Sequence, residues 1–232
     1  MREEVEQALR ADGDRYHVSN HEGIGTIADP AFDLLKVVHS VTSIASVLEI
    51  GCTTGFRLEK CRQEFGARCA GLEISPRAVA EGRELYPDID LHAGVAPRDL
   101  VTWTDQSFDV ITLGHFLYLL PREDLFSLAA EVDRLLMPGG HLIVMDFFFP
   151  HECRLDYHHN HQLEMFKGDP SRPWTWSPTY TLVARRVYDL DSSPTQGADP
   201  RSWQTVDLLR KHSAVDAYPM GDGLPSRHAG DG

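Results

Sequence analysis

The chain has 232 residues and a formal net charge of -13, with 25% of its residues charged. That length suits one domain with a sizeable core and a small cap. The acidic balance argues against nucleic acid held on a broad basic surface, and no apolar run reaches the ~20 residues that span a bilayer.

The start, Met1-Arg2-Glu3-Glu4-Val5-Glu6, is acidic and lacks the apolar core of a secretory signal, so a cytoplasmic protein is expected. Cys52, Cys61, Cys69 and Cys153 show no C-x-x-C spacing and are expected to be reduced and unbridged. Residues 2–10 read as a short polar helix and residues 12–29 as a loop-rich stretch. Ala31 to Thr42 has helical character, with Phe32, Leu35, Val38 and His39 or Thr42 on one side. Residues 1–44 are therefore expected to form an N-terminal cap.

The organising stretch follows: Val47-Leu48-Glu49-Ile50-Gly51-Cys52-Thr53-Thr54-Gly55-Phe56. An apolar run of strand type ends in an acid, a glycine-containing loop turns, and a helix begins with Leu58, Cys61 and Phe65 on one face. The amides at the helix start then point at whatever occupies the loop. A carboxylate at Glu49 suits a ligand with a positive group, and S-adenosylmethionine (SAM) carries an ammonium and a sulfonium but no phosphate. A second strand ends in Gly71-Leu72-Glu73-Ile74. Glu73 lies about 20 residues on, where a Rossmann-like unit places its ribose-binding acid.

Further strands and helices alternate, which implies a parallel sheet covered on both faces. Ser75 and Pro76 read as the N-cap and first residue of a helix. Strands are expected at Asp90–His92 and Phe108–Leu113, and a long helix opens at Pro121. Met137-Pro138-Gly139-Gly140 should end that helix, with a buried strand at His141–Phe147. An insert rich in His, Trp and Pro runs over residues 148–178. Tyr180–Asp189 and Ser202–Leu209 then read as two strands, joined by the polar loop 191–198. The polar residues 212–232 read as a disordered tail.

Two acids at two strand ends with this loop between them, and the later helix–Pro-Gly-Gly–strand run, resemble the class I SAM-dependent methyltransferases, the small-molecule type in particular. The resemblance covers residues 45–147 well. It implies a doubly wound, mostly parallel seven-stranded sheet with helices on both faces and an antiparallel last strand, over a catalytic domain of residues 45–211. It also implies SAM as cofactor, S-adenosylhomocysteine (SAH) as product and a small-molecule acceptor. The expected cofactor residues are Tyr16, Glu49, Gly51, Cys52, Thr53, Gly55, Glu73, Ile74, Val95, Ala96, Leu113, Gly114 and His115.

The chain departs from the family pattern twice. Thr53 stands where a glycine is usual; its hydroxyl suits the methionine carboxylate, while its Cβ narrows the loop. Gly94-Val95-Ala96 lacks the acid that often takes the adenine amino group, so adenine is expected to use backbone groups of Val95 and Ala96 and to pack on Val95 and Ile74.

Methyl transfer needs nucleophile, methyl and sulfur in line, and a protonated acceptor needs a base. His115, just past a strand end, is one candidate base; its other reading is a pocket wall. His158 and His159 are the others. The group His151, Tyr157, His158, His159 and His161 has three readings: substrate pocket, solvated surface or metal site. Adjacent histidines point apart, so a metal would need His158 and His161 on one helical face with His151 or Asp156, and no metal is expected. Trp174, Trp176 and Tyr180, with Phe166, read as a substrate lid or as the insert's own core. His17 and Tyr16 either approach the ligands or belong to a surface cap. A lyase or cyclase of the same fold, a metal-assisted methyltransferase and a regulatory subunit with a vestigial site are the competing functions.

Overall fold

The computed structural model describes residues 1–20, 29–189 and 202–218. The expected loop at 191–198 and the part of the expected tail beyond residue 218 lie outside them, as does the stretch 21–28; the described start of that tail, residues 212–218, carries a short helix (Ala214–Ala217) capped by Ser213.

Buried apolar strands build the centre of the sheet. β1 (Ser46–Ile50) is buried at every position and pairs in parallel with β2 (Arg68–Glu73) and β4 (Phe108–Gly114), and these pair in parallel with β3 (Asp90–Ala93) and β5 (Leu136–Phe147) respectively. β9 (Trp203–Lys211) runs antiparallel between β5 and the edge strand β8 (Tyr180–Asp189). The strand order is β3-β2-β1-β4-β5-β9-β8. This is the seven-stranded, mostly parallel sheet with an antiparallel last strand that the sequence predicts.

Amphipathic helices cover both faces. On one face α2 (Pro30–Val41), α3 (Phe56–Phe65) and α4 (Pro76–Leu85) bury Leu35, Val38, Leu58, Cys61 and Val79 against Val47, Val110 and Ile143. On the other, α5 (Leu125–Leu135) buries Leu128, Val132 and Leu135 against Ile111, Leu142 and Val144. Ser75 caps α4 by accepting from the Ala78 amide, with Pro76 following, as the sequence predicts. α4 lies close to the glycine loop because Gly82 has no Cβ; one there would meet the Thr54 carbonyl at 2.4 Å.

Four local expectations are corrected. α1 (Glu3–Asn20) continues through the residues read as loop from Asp12. Tertiary contacts hold its second half: Tyr157 donates to buried Asp12 at 3.1 Å, Ser75 to Asp14 at 2.5 Å, and His17 pairs with Glu81 at 3.0 Å. Pro121 does not open the long helix; a short 3₁₀ turn (Arg122–Asp124) precedes α5. The Pro-Gly-Gly run belongs to an irregular start of β5, where Leu136 pairs with Phe108 before the register shifts to His141 opposite Val110. The histidine-rich insert forms a hairpin, β6 (Cys153–Asp156) with β7 (Glu164–Lys167), and a turn at 158–162 rather than a helix. Tyr157, Leu163 and Met165 of the insert pack with Ala8 and Leu9 of α1, making a satellite core above the sheet.

Candidate functional site

A cavity of about 1240 Å³ opens over the carboxyl ends of β1, β2, β4 and β5, the place where an open parallel sheet binds ligands. α1 and the start of α2 form one wall, and the ends of β8 and β9 contribute Tyr188 and Gln204 on the far side.

The loop after β1 forms its floor. Gly51 has φ +79, and a Cβ there would meet the Gly114 carbonyl at 3.0 Å and Phe116 at 3.1 Å, so only glycine fits. Thr53 holds φ +50, a left-handed conformation that is unfavourable for a β-branched residue, and its buried Oγ1 has no hydrogen-bond partner. Its amide donates to Glu73 Oε2 at 2.9 Å, and the Ser75 amide donates to Glu73 Oε1 at 2.9 Å. Glu73 is 7% exposed; burial raises its pKa, against the pull of these amides.

Glu49 is 2% exposed. Arg57, from the first turn of α3, donates through Nη1 to Glu49 Oε1 and through Nε to both oxygens of Asp29, at 3.0 and 2.8 Å. Glu49 Oε2 has no partner although it is buried. Burial also raises the Glu49 pKa, the nearby guanidinium opposes this, and Asp29 and Glu73 add to the rise. Two carboxylates share one cation, so this buried cluster holds a surplus negative charge beside an unsatisfied acceptor. A group such as an ammonium meets both deficits, and the residues at the loop therefore fit SAM.

His115 also takes a left-handed conformation, with φ +51, and its amide donates to the Met145 carbonyl at 2.8 Å. Its ring stands edge-on to Phe147 with centroids 5.8 Å apart. Burial, helped by the Arg57 charge, lowers its pKa to about 4, so the imidazole is neutral at physiological pH. Asp146 next to this wall is buried and accepts from the Leu117 amide at 2.8 Å and the Phe147 amide at 2.7 Å; burial pushes its carboxyl up to about 7.

The cavity brings together most of the expected cofactor residues. Tyr16, Glu49, Gly51, Thr53, Glu73, Ile74, Val95, Ala96, Gly114 and His115 line it, and His17 joins them from α1. Gly55, the left-handed N-cap of α3, and Cys52 and Leu113 lie behind this wall and do not line it. The Val95 amide donates to Asp99 Oδ2 at 2.7 Å, so the backbone donor expected to meet adenine is already engaged.

Of the expected substrate residues only His17 lines the cavity; the others are placed elsewhere. Trp174 is buried in the main core with Leu128 and Val132, and Tyr180 donates to Asp133 at 2.9 Å; both sit on the α5 side of the sheet. Trp176 is 86% exposed. Tyr157 faces α1 through Asp12, and His151, His158, His159 and His161 are exposed outside the cavity. The rings of His158 and His159 lie with centroids 3.8 Å apart, tilted by 43°, because the turn, unlike a helix or strand, brings neighbouring rings together. Among the described residues no group of three His, Cys, Asp or Glu is placed to hold a metal ion.

Sequence reasoning missed Asp29, Arg57, Asp146, Phe147, Tyr188 and Gln204. Only Asp29 carried a local signal: Asp followed by Pro30 is an N-cap with proline at the first helical position, and its side chain accepts from the Phe32 amide at 3.1 Å. No helix among the described residues is long and apolar enough to cross a membrane.

Residues 47–140 match the model of a methyltransferase domain family. The chain is 36% identical over 124 residues to the dTDP-3-amino-3,4,6-trideoxy-alpha-D-glucopyranose N,N-dimethyltransferase of Streptomyces venezuelae, covering 53% of this chain and 52% of that protein. It is 31% identical over 104 residues to the demethylmenaquinone methyltransferase of Chlorobaculum parvum, covering 45% of this chain and 42% of that protein. The chain thus spans about half the length of the curated relatives it matches. Among solved structures, it resembles the 1,6-didemethyltoxoflavin-N1-methyltransferase of Burkholderia thailandensis bound to SAH, with a TM-score of 0.65 at 17% identity over 89% of this chain and 88% of that one. The N-methyltransferase NodS of Bradyrhizobium japonicum, also with SAH, gives a TM-score of 0.58 at 21% identity over 79% of this chain and 86% of that one. Residues 47–140 thus match a methyltransferase domain, and the strand order is that of the Rossmann-like fold of these solved methyltransferases.

Proposed function

We propose that the protein binds SAM and transfers its methyl group to a small-molecule metabolite. The observation that carries this reading is the pair Glu49 and Glu73, buried at adjacent strand ends on one cavity, with Glu49 Oε2 lacking a partner. SAM supplies an electrophilic methyl on a sulfonium.

The chain's own groups do the rest. Glu73 has a remaining lone pair on each oxygen for the ribose hydroxyls, and its two amide bonds hold it in place. Glu49 meets the ammonium through Oε2, and the Thr53 hydroxyl meets the methionine carboxylate. Ile74 and Val95 pack on adenine. Residues 1–44 act as the cap, with Tyr16 and His17 on the ligand side of the cavity. The acceptor lies between the loop after β4 and the ends of β5, β8 and β9, against His115, Phe147, Tyr188 and Gln204. A neutral His115 places no cation beside the sulfonium and offers a hydrogen-bond acceptor, so its role is to shape and orient rather than to titrate. Holding acceptor and methyl in line supplies the rate, since effective molarity alone contributes several kcal/mol, about 7–11 in well-oriented systems.

The relatives named for amino sugars and quinones are consistent with a small metabolite as acceptor. The test is incubation of the full chain with SAM and a metabolite extract. Accumulation of SAH together with a product heavier by one methyl supports the reading. SAM binding without SAH formation would point to a lyase or cyclase, and no SAM binding would overturn the proposal.

A further inference from the structure

Asp29 sits at the first described residue after the stretch 21–28, at the start of α2, yet its side chain reaches the buried centre of the cavity wall. It caps α2 through the Phe32 amide and holds Arg57 Nε with both oxygens, while the same guanidinium holds Glu49. Elements from three parts of the chain, α2, α3 and β1, therefore meet in one ion cluster. Gly114 at the end of β4 closes it: a Cβ there would lie 3.5 Å from Arg57 Nη1 and 3.7 Å from Glu49 Oε1.

We propose that Asp29 is a positioning residue for the cofactor: through Arg57 it fixes the placement and the charge of Glu49, so that the start of the cap's second helix and the ammonium-binding carboxylate work as one unit. This rests on the reading of Glu49 given under Proposed function. Arg57 divides its attraction between two carboxylates, so Asp29 takes a share of the cation that would otherwise stabilise an ionised Glu49. The charged or titratable groups facing Glu49 are Arg57 from α3, Asp29 from α2 and Glu73 from β2, with the thiols of Cys52, Cys61 and Cys69 around them. Of the fully charged groups, only Arg57 favours the carboxylate. An ammonium ligand prefers that carboxylate ionised, so its affinity rises with pH through the Glu49 titration. Removing the Asp29 charge frees Arg57 for Glu49 and moves that titration to lower pH.

Asn and Ser are both good N-caps, so Asp29→Asn and Asp29→Ser keep the helix start while removing the charge. SAH binding by the full chain is measured calorimetrically from about pH 5.5 to about 8.5 in wild type, in both variants and in Asp29→Glu. The expected result is a pH midpoint for affinity lowered by roughly 0.5–1 unit in the two uncharged variants, and a midpoint restored towards wild type by Asp29→Glu. A purely structural cap would weaken binding equally at every pH. An unmoved midpoint in a folded uncharged variant overturns the inference while leaving the cofactor reading intact. Wild type that fails to bind SAH at any pH overturns both.

Discussion

The Thr53 amide donates to the Glu73 carboxylate at 2.9 Å, tying the glycine loop after β1 to the acid that ends β2. The acid proposed to face the ribose is thus preorganised by the loop proposed to hold the rest of the cofactor. Glu73→Ala should weaken SAH binding by about 1–3 kcal/mol, the scale for losing charged hydrogen bonds, and should also lower the melting temperature because two amides lose their acceptor. Calorimetry showing unchanged affinity would remove Glu73 from the site.

Thr53 occupies left-handed backbone with a β-branched side chain. Such a conformation costs roughly 1–2 kcal/mol per non-glycine residue, which exceeds the ~0.5–1 kcal/mol of chain entropy that glycine gives up. Thr53→Gly is therefore expected to hold or raise the melting temperature. If the hydroxyl meets the methionine carboxylate, the same variant loses affinity for SAH; a variant that binds SAH as tightly as wild type would show that the hydroxyl is not used.

His115 is held neutral down to about pH 4. Its folded pKa lies below the ordinary value of 6.5, so the stability tied to the neutral ring is present above that value and is lost as pH falls from there through about 4. A base of this pKa cannot give a rate inflection near neutrality. His115→Gln should keep the shape of the wild-type pH–rate profile above about pH 6, with a loss smaller than the ~10²–10⁴ that follows removal of a general base. A lost inflection near pH 6.5 in the variant would restore the catalytic role.

His158 and His159 were the other candidate bases, and both are exposed outside the cavity. The double variant His158→Ala/His159→Ala is expected to turn over within about twofold of wild type, far from the effect of removing a base. A loss of about 10²-fold or more would mean that the insert closes over the acceptor during turnover.

Asp146 carries a pH-dependent stability cost. Its folded pKa, about 7, lies above the ordinary 3.8, so its contribution is fully present below the latter value and is lost as pH rises through the former. Urea midpoints should therefore fall between about pH 5 and about pH 8 more steeply in wild type than in Asp146→Asn. Equal slopes would show that Asp146 is ionised throughout. Asp146→Ala, which strips the acceptor from the Leu117 and Phe147 amides, should cost about 1–3 kcal/mol at any pH.

The sequence alone determined the sheet and the strand-end floor of the cavity. Strand-length apolar runs, each ending in a glycine or an acid, specify β1, β2 and β4 because burial on both faces and a sharp turn leave a local record. Glu49, Gly51 and Glu73 were legible for the same reason: each lies within a residue of the carboxyl end of its own strand, so strand register alone carries it to the cavity. The tertiary structure decided what local pattern does not encode. Arg57 reads as an exposed helix residue until Asp29 and Glu49, 28 and 8 residues before it in the chain, arrive to share its charge. The second half of α1 looks like a loop because its stabilising partners, Tyr157, Ser75 and Glu81, belong to distant elements. Trp174, Tyr180 and the histidines of the insert carry side chains suited to chemistry, but where they point depends on how the hairpin after β5 folds back. That fold turns the two aromatics towards the α5 side and leaves the histidines in water, while Tyr188 and Gln204, unremarked in their strands, reach the cavity because β8 and β9 run in opposite directions and bring one's end beside the other's start.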